Sequence, residues 1–449
     1  MARPARRAGR QAQGAGLLVA ALVAAGAYAC ANQGDPPGGP PDTAPPRIAS
    51  VQPESGTVVP NWKDDAVIQF DEVIDEMAGG SGAGGGFGGG GGGGLTGLAR
   101  LVLLSPVNGD VKVSWGRTKI RVKPKEGWKP GRVYRLELFP GVVDLRRNKL
   151  DSGRVVLFST GAEIGHATLR GTALQWAEQR ALPSGLIEAV PIPDSVGYRT
   201  LADSAGRFQL GALRPGRYLV YATLDQNSNR QRDRREAYDS TAVTVDSSAT
   251  VTLFTFVHDT AGPRLRAAAN LDSVSLRLEF SQPLDPAAPL DTSRIRVLHL
   301  PDSSAVTVTA VLTPRQYDSL AAAERAKADS AKQRADTAGR DTARAAGAPA
   351  AAGVPRAAGA LGAAARGTPA AADTAELRRL LAQRPAPFDR VVLRLARPVV
   401  PDTRYLIRVR GARNLNGAVA DGQAVLTVPK PAAPRDTTRA GRPGPPKPP

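Results

Sequence analysis

The feature that most constrains this chain is the recurrence of short runs in which apolar and polar side chains alternate, each closed by Pro, Gly, Asn or Asp. Alternation at a period of two puts one set of side chains on one face of an extended strand, and closely spaced turn residues leave little room for helices between strands. RIASVQPESG is a strand followed by a Pro/Gly turn. AVIQFDEVID alternates, KVSWGRTKIRVKP folds back around Trp115-Gly116, and RVYRLELFPGVVD and RVVLFST are further strands. The pattern predicts an all-β chain of tandem β-sandwiches. The chain has one cysteine, so no intrachain disulfide can staple them, and each sandwich must be held by its own buried face.

That cysteine ends a leader. Arg3, Arg6, Arg7 and Arg10 precede an apolar run, Ala15 to Ala27, too short to span a bilayer, and Ala27-Tyr28-Ala29-Cys30 follows. Residues 1–29 read as a signal peptide, and Cys30 as the acylated residue of a lipobox that holds the protein to a membrane by lipid. Ala27 stands where lipoboxes usually have Leu, and Tyr28 is bulky. Ala27-Tyr28-Ala29 also fits ordinary signal cleavage, which would release a secreted chain with a free Cys30. Ala31, not an acid, follows the cysteine. By resemblance to known lipoprotein sorting, this favours the outer membrane of the cell envelope.

The formal charge is +18. Lys and Arg are spread along the chain, alternate with Asp, and form no basic stretch interleaved with aromatics, so a nucleic-acid partner is not expected. Outside the cytoplasm such charge better suits an anionic polysaccharide. The three histidines, His166, His258 and His299, have no metal-ligand spacing, and no G-x-S-x-G, H-E-x-x-H or P-loop occurs. Few residues are left for nucleophilic or zinc chemistry, and no enzymatic activity is expected.

Residues 30–46 form a Pro/Gly tether. A first sandwich spans 47–162, interrupted by a glycine-rich insertion at 79–94. That insertion contains a G-x-G-x-x-G by chance, with no helix after it. A second sandwich spans 163–258, and a third is split into 259–320 and 385–430. The low-complexity insertion 321–384 and the tail 431–449 are expected to be largely disordered. SLAAAERAKADSAKQRADTA favours helix without an apolar stripe to dock it, and Asp373 with Glu376 makes a capping-box-like start for ELRRLLAQ.

DTAPPRIASVQPESGTVV…AVIQFDEVID and WKPGRVYRLELFPGVVDLRRNKLDSGRVVLFSTG resemble bacterial Ig-like domains of the S-layer type. The resemblance implies a turn at Pro130-Gly131, a buried Tyr134 with its hydroxyl bonded to a loop, and a left-handed turn at Asn148. SVSLRLEFSQPLD and VVPDTRYLIRVRGARNLNGAVADGQAVLTV repeat those segments, with Tyr405 matched to Tyr134 and Asn416 to Asn148. DSAGRFQLGALRPGRYLVYATLD resembles the carboxypeptidase-regulatory-like, or prealbumin-like, sandwich. It places Phe208, Leu210 and Tyr218 inward and a hairpin at Asp203–Gly206. Taken together, the order resembles a group of Ig-like envelope lipoproteins. This implies a non-catalytic scaffold or interaction role with a protein or polysaccharide partner. The alternative is a carbohydrate-binding protein acting on envelope or extracellular polysaccharide. Trp62, Trp115, Trp128 and Trp176 are not spaced as a stripe and read as packing residues.

One loop has ligand-like spacing. Asp225, Asn227, Asn229, Asp233 and Glu236 fall at positions 1, 3, 5, 9 and 12 of a twelve-residue stretch, as in a calcium loop of the EF-hand type. Calcium is the one candidate cofactor. Arg230 stands at position 6, where such loops have Gly, and the flanks read as strands. A polar hairpin loop with Asp and Asn capping its turns is the competing reading.

Overall fold

The first strands, β1 (Ile48–Gln52) and β2 (Ala66–Phe70), pair antiparallel, and Ala66, Ile68 and Phe70 point inward while their neighbours do not. The structure is a computed structural model that describes residues 42–80, 95, 97–344 and 369–430. The leader, Cys30, most of the tether, the glycine run beyond Gly80, residues 345–368 and the tail from 431 lie outside the described residues.

After β2 come β3 (Val102–Ser105), β4 (Val111–Trp115), β5 (Lys119–Pro124), β6 (Val133–Leu138) and β7 (Arg154–Ser159). One sheet runs β1-β2-β5-β4 and the other β3-β6-β7. Ile68, Phe70, Ile120, Tyr134, Leu136 and Phe158 share the core. Trp128 lies edge-on to Tyr134, ring centroids 4.8 Å apart, so this tryptophan packs as expected. The Tyr134 hydroxyl accepts the Lys129 N–H at 2.7 Å. A buried hydroxyl is thereby paired, and the loop after β5 is tied to the core.

The second sandwich holds β8 (Ala167–Gln175), β9 (Arg180–Ala181), β10 (Leu186–Pro191), β11 (Tyr198–Leu201), β12 (Arg207–Leu213), β13 (Gly216–Thr223), β14 (Tyr238–Val245) and β15 (Ser248–Thr255). Its sheets are β11-β10-β13-β14 and β12-β8-β15, with β9 on β8. Phe208, Leu210 and Tyr218 are all buried. Gly171 leaves room for the Phe208 ring, since a Cβ there would lie 2.6 Å from it. The expected hairpin at Asp203–Gly206 is instead a turn between sheets, because β11 and β12 do not pair with each other. The turn itself is closed by Asp203, whose carboxylate accepts the N–H groups of Ala205 and Arg207.

The third sandwich repeats the first. Strands β16 (Leu265–Asn270), β17 (Ser275–Leu284), β18 (Ile295–Leu300), β19 (Ser304–Val306), β20 (Val308–Leu312), β21 (Phe388–Leu395), β22 (Arg404–Arg413) and β23 (Val419–Thr427) form sheets β16-β17-β21-β20 and β19-β18-β22-β23. The first of these matches β1-β2-β5-β4 strand for strand. Tyr405 matches Tyr134, and its hydroxyl accepts the Val400 N–H at 2.9 Å. The insertion occupies the place of the tight β4–β5 turn, and β20 and β21 still pair across it.

The asparagine correspondence shifts by two residues. Asp144 accepts the amides of Arg146 and Asn148, and Asn414 accepts those of Asn416 and Ala418. The left-handed residues are Arg147, φ 69°, and Gly417, φ 87°, not Asn148 and Asn416. Asp144 therefore matches Asn414. Two helices flank residues 345–368: α1 (Pro314–Arg344) and α2 (Pro369–Leu381). The capping box lies at Thr313 and Gln316, where each side chain accepts the other's N–H, and not at Asp373 and Glu376. α1 docks through polar contacts, Tyr317 with Asp272 and Glu324 with Arg394. Asp373 is inside α2 and pairs with Arg207 of the second sandwich at 2.8 Å.

Removing a buried aromatic ring leaves a cavity and costs about 3–5 kcal/mol. Phe208→Ala is therefore expected to bring the unfolding of the second sandwich to clearly lower denaturant in the full chain, and an unchanged midpoint would place the ring outside the core.

Candidate functional site

The loop joining β13 to β14 carries the five residues with calcium-loop spacing, and the strands beside it pair in register up to Thr223 and Tyr238. Asp225 accepts the N–H groups of Asn229 at 3.0 Å and Arg230 at 2.9 Å. The Asn227 and Asn229 side-chain amides both donate to one Asp233 oxygen, at 2.9 and 3.1 Å. Glu236, buried, accepts from Gln226 at 2.9 Å. Burial, with Asp225 and Asp233 nearby, raises its pKa, while the amides of Gln226 and Asp233 work against that rise. The five residues thus converge, but their oxygens serve the loop's own N–H groups, as capping residues of a polar turn do.

Arg230 is the departure that the spacing left unexplained. Its backbone is left-handed, φ 59°, the conformation glycine adopts most easily. Its side chain leaves the loop and crosses to the first sandwich. Nη2 donates to the Arg100 carbonyl at 2.6 Å, and the guanidinium lies 5.3 Å from the Phe139 ring centre. The neighbouring Arg232 covers Tyr221 at 3.7 Å. The loop is a wedge between two sandwiches.

Other polar groups cross the same junction. The Thr200 hydroxyl donates to Glu137 at 2.9 Å, and Glu137 pairs with the buried Arg135 at 3.2 Å. The Arg199 N–H donates to the Ser105 hydroxyl at 3.0 Å. Above these contacts opens a cleft of about 1170 Å³, lined on one side by Arg100, Glu137 and Phe139 and on the other by Arg207, Asp225 and Arg230.

Among the described residues, the group of carboxylates close enough to share an ion is Asp42, Glu72 and Asp144. Sequence reasoning missed it because the three are far apart in the chain. Burial, with Asp144, Asp42 and Asp71 nearby, raises the Glu72 pKa. The third sandwich holds the matching residues Asp259, Gln282 and Asn414. There the Asn414 amide donates to Gln282 at 3.1 Å and to the Asp259 carbonyl at 2.8 Å. Two amides replace two carboxylates, and hydrogen bonds replace charge repulsion.

The remaining candidates sit elsewhere. Trp115 and Trp176 donate to the carbonyls of Ile74 and Pro385. His258 is stacked against Tyr238 at 3.8 Å and Phe256 at 4.1 Å, with its pKa lowered by burial. His299 pairs with Asp302 at 2.9 Å.

Residues 42–160 match the family model of the bacterial Ig-like domain, which covers the first sandwich. No curated protein matches the sequence. The chain is similar to the major pilin subunit of Bacillus cereus, at 11% identity over 47% of this chain and 70% of that one, with a TM-score of 0.17. It is similar to a fragment of alpha-2-macroglobulin from Escherichia coli, at 12% identity over 57% and 84%, with a TM-score of 0.17. A DUF3823 family protein from Bacteroides uniformis gives 8% identity over 59% and 100%, with a TM-score of 0.16. At such TM-scores the likenesses carry no argument about function.

Three outcomes follow from these sites. The Glu72 pKa is raised on folding, so its contribution favours the fold below the ordinary glutamate pKa and is lost as pH rises through the raised value. Glu72→Gln is therefore expected to raise the melting temperature at pH 7 in EDTA, with the gain fading below about pH 4. Equal melting temperatures at pH 7 would contradict it. For the wedge, Arg230→Ala removes a charged hydrogen bond worth about 1.5–3 kcal/mol. Arg230→Gly loses the same bond but relaxes the left-handed backbone, so it is expected to be the more stable of the two variants. Limited proteolysis between residues 160 and 167 reads the loosened junction. If the loop's oxygens serve only its own amides, millimolar Ca²⁺ will leave the melting temperature unchanged in Asp225-containing and Asp225→Ala chains alike.

Proposed function

We propose that the chain is a non-catalytic cell-envelope lipoprotein. A lipid on Cys30 holds it to the membrane, the Pro/Gly tether lifts it off, and the row of sandwiches carries an interaction surface outward. The observation that carries this reading is the modular build, with one Ig-like module used twice around a prealbumin-like one, all behind a leader that ends in the chain's only cysteine. A second contribution comes from the polar groups at the first junction, which are engaged in joining modules. Among the described residues no helix is long and apolar enough to cross a membrane. The outer membrane is the proposed location.

The second reading is binding of envelope or extracellular polysaccharide. What favours it is the open cleft of about 1170 Å³ between the first two sandwiches, a little larger than most small-ligand sites. The tryptophans do not favour it, because three of them donate to backbone carbonyls of the chain itself and they form no shared platform.

Cys30→Ser is expected to abolish fatty-acid labelling and to release the protein from membranes into the soluble fraction. Unchanged membrane partitioning of the variant would overturn the anchor.

A further inference from the structure

The cleft between the first two sandwiches has an unbalanced polar lining. Its carboxylates are engaged for the most part. Glu137 takes Arg135 and Thr200, Asp225 takes two backbone N–H groups, and Asp203 takes Arg207. Of its arginines, Arg207 is held by Asp203 and Asp373 and Arg170 by Gln209, which leaves Arg230 and Arg100. Arg230 gives Nη2 to a carbonyl, but its Nη1 is buried and has no hydrogen-bond partner among the described residues. Arg100, whose carbonyl takes that bond, sits on the 3₁₀ turn Gly97–Leu101 and lines the same cleft, and its guanidinium makes no hydrogen bond or ion pair among the described residues. A buried N–H of a cation without an acceptor is costly, and two like charges lining one cleft repel. Burial is the main cause of a lowered Arg230 pKa, which Asp225 opposes, and the Arg100 charge adds to the lowering. One oxyanion between the two would relieve both costs, since guanidinium groups pair with carboxylate and phosphate through two parallel bonds.

We propose that this cleft binds an acidic sugar, with its carboxylate or phosphate held between Arg100 and Arg230. The space far exceeds one ion, at about 1170 Å³. Hydroxyl and amide side chains, Ser184, Thr200 and Gln209, line it beside the Phe139 ring. Such groups both donate and accept, as sugar hydroxyls do, and a flat apolar ring suits a sugar face. The proposal rests on the polysaccharide reading above and narrows it to anionic ligands.

The test uses the chain after the leader with Cys30→Ser, titrated calorimetrically. The probes are tetragalacturonate, its neutral methyl ester, glucose 1-phosphate and a tetraglutamate peptide. Tetragalacturonate is expected to bind and its ester is not, with affinity falling as salt rises. Glucose 1-phosphate reports whether a phosphate serves in place of the carboxylate. Arg100→Gln, which breaks no hydrogen bond or ion pair within the described residues, is expected to weaken the acid at least tenfold without lowering the melting temperature. If the ester binds as well as the acid, or Arg100→Gln binds as tightly as the parent, the anionic pocket is overturned and the polysaccharide reading stands. Tighter binding of tetraglutamate than of the sugar acid overturns the sugar. Silence from all four probes overturns both the pocket and the polysaccharide reading, and leaves the lipid anchor to its own test.

Discussion

The reach of Arg230 from one sandwich to the next is the buried charged contact of the first junction, beside the Thr200–Glu137 and Arg199–Ser105 hydrogen bonds. A residue other than glycine in the left-handed region costs on the order of 1 kcal/mol or more. A guanidinium removed from water costs further unless it is hydrogen-bonded. Both costs are met at one position, φ 59° with Nη2 on the Arg100 carbonyl, because the side chain connects two modules that share no disulfide. That crossing sets the capped 225–236 loop against the wall of the cleft formed by Arg100 and Phe139.

The two Ig-like modules show one scaffold with two electrostatic settings. Where the chain enters each module, one residue caps a left-handed turn, Asp144 in the first and Asn414 in the third. In the third, Asn414 and Gln282 satisfy each other and the entering strand. In the first, Asp42, Glu72 and Asp144 crowd three carboxylates together, and burial, with these neighbours, raises the Glu72 pKa. The architecture tolerates both because Tyr134 and Tyr405 hold the same loop to the same core in each copy.

The insertion in the third module also joins modules. α2 pairs Asp373 with Arg207 of the second sandwich, and Arg384 lies over Phe254 at 4.6 Å. An apolar stripe is not needed for this docking, since the contacts are polar or cation–π and lie at the ends of the helical segment. Its place between two paired strands, where the first module has a tight turn, explains why so long an insertion leaves the sandwich intact.

By itself the sequence determined the local structure. Alternation at period two made strands of β2, β12 and β22, and Pro-Gly or Asp-x-x-Gly placed their turns. The recurrence of Phe-x-Glu or Gln and of a buried Tyr revealed the repeated module. These signals are local because each depends on neighbours a few residues away. The strand β3 was missed because all four of its residues are buried. Its second face is covered by the next sandwich, which removes the alternation that marks a strand. The asparagine match failed by two residues because the left-handed position can be filled by Arg147 as well as by Gly417. Only the tertiary structure decided the sites. Asp42, Glu72 and Asp144 meet only when two sheets close. Whether the oxygens of the 225–236 loop face an ion or their own amides depends on how the loop folds, and the reason for Arg230 lies in a different module. Charge repulsion, burial and pairing are properties of what surrounds a group in space, and spacing along the chain does not report them.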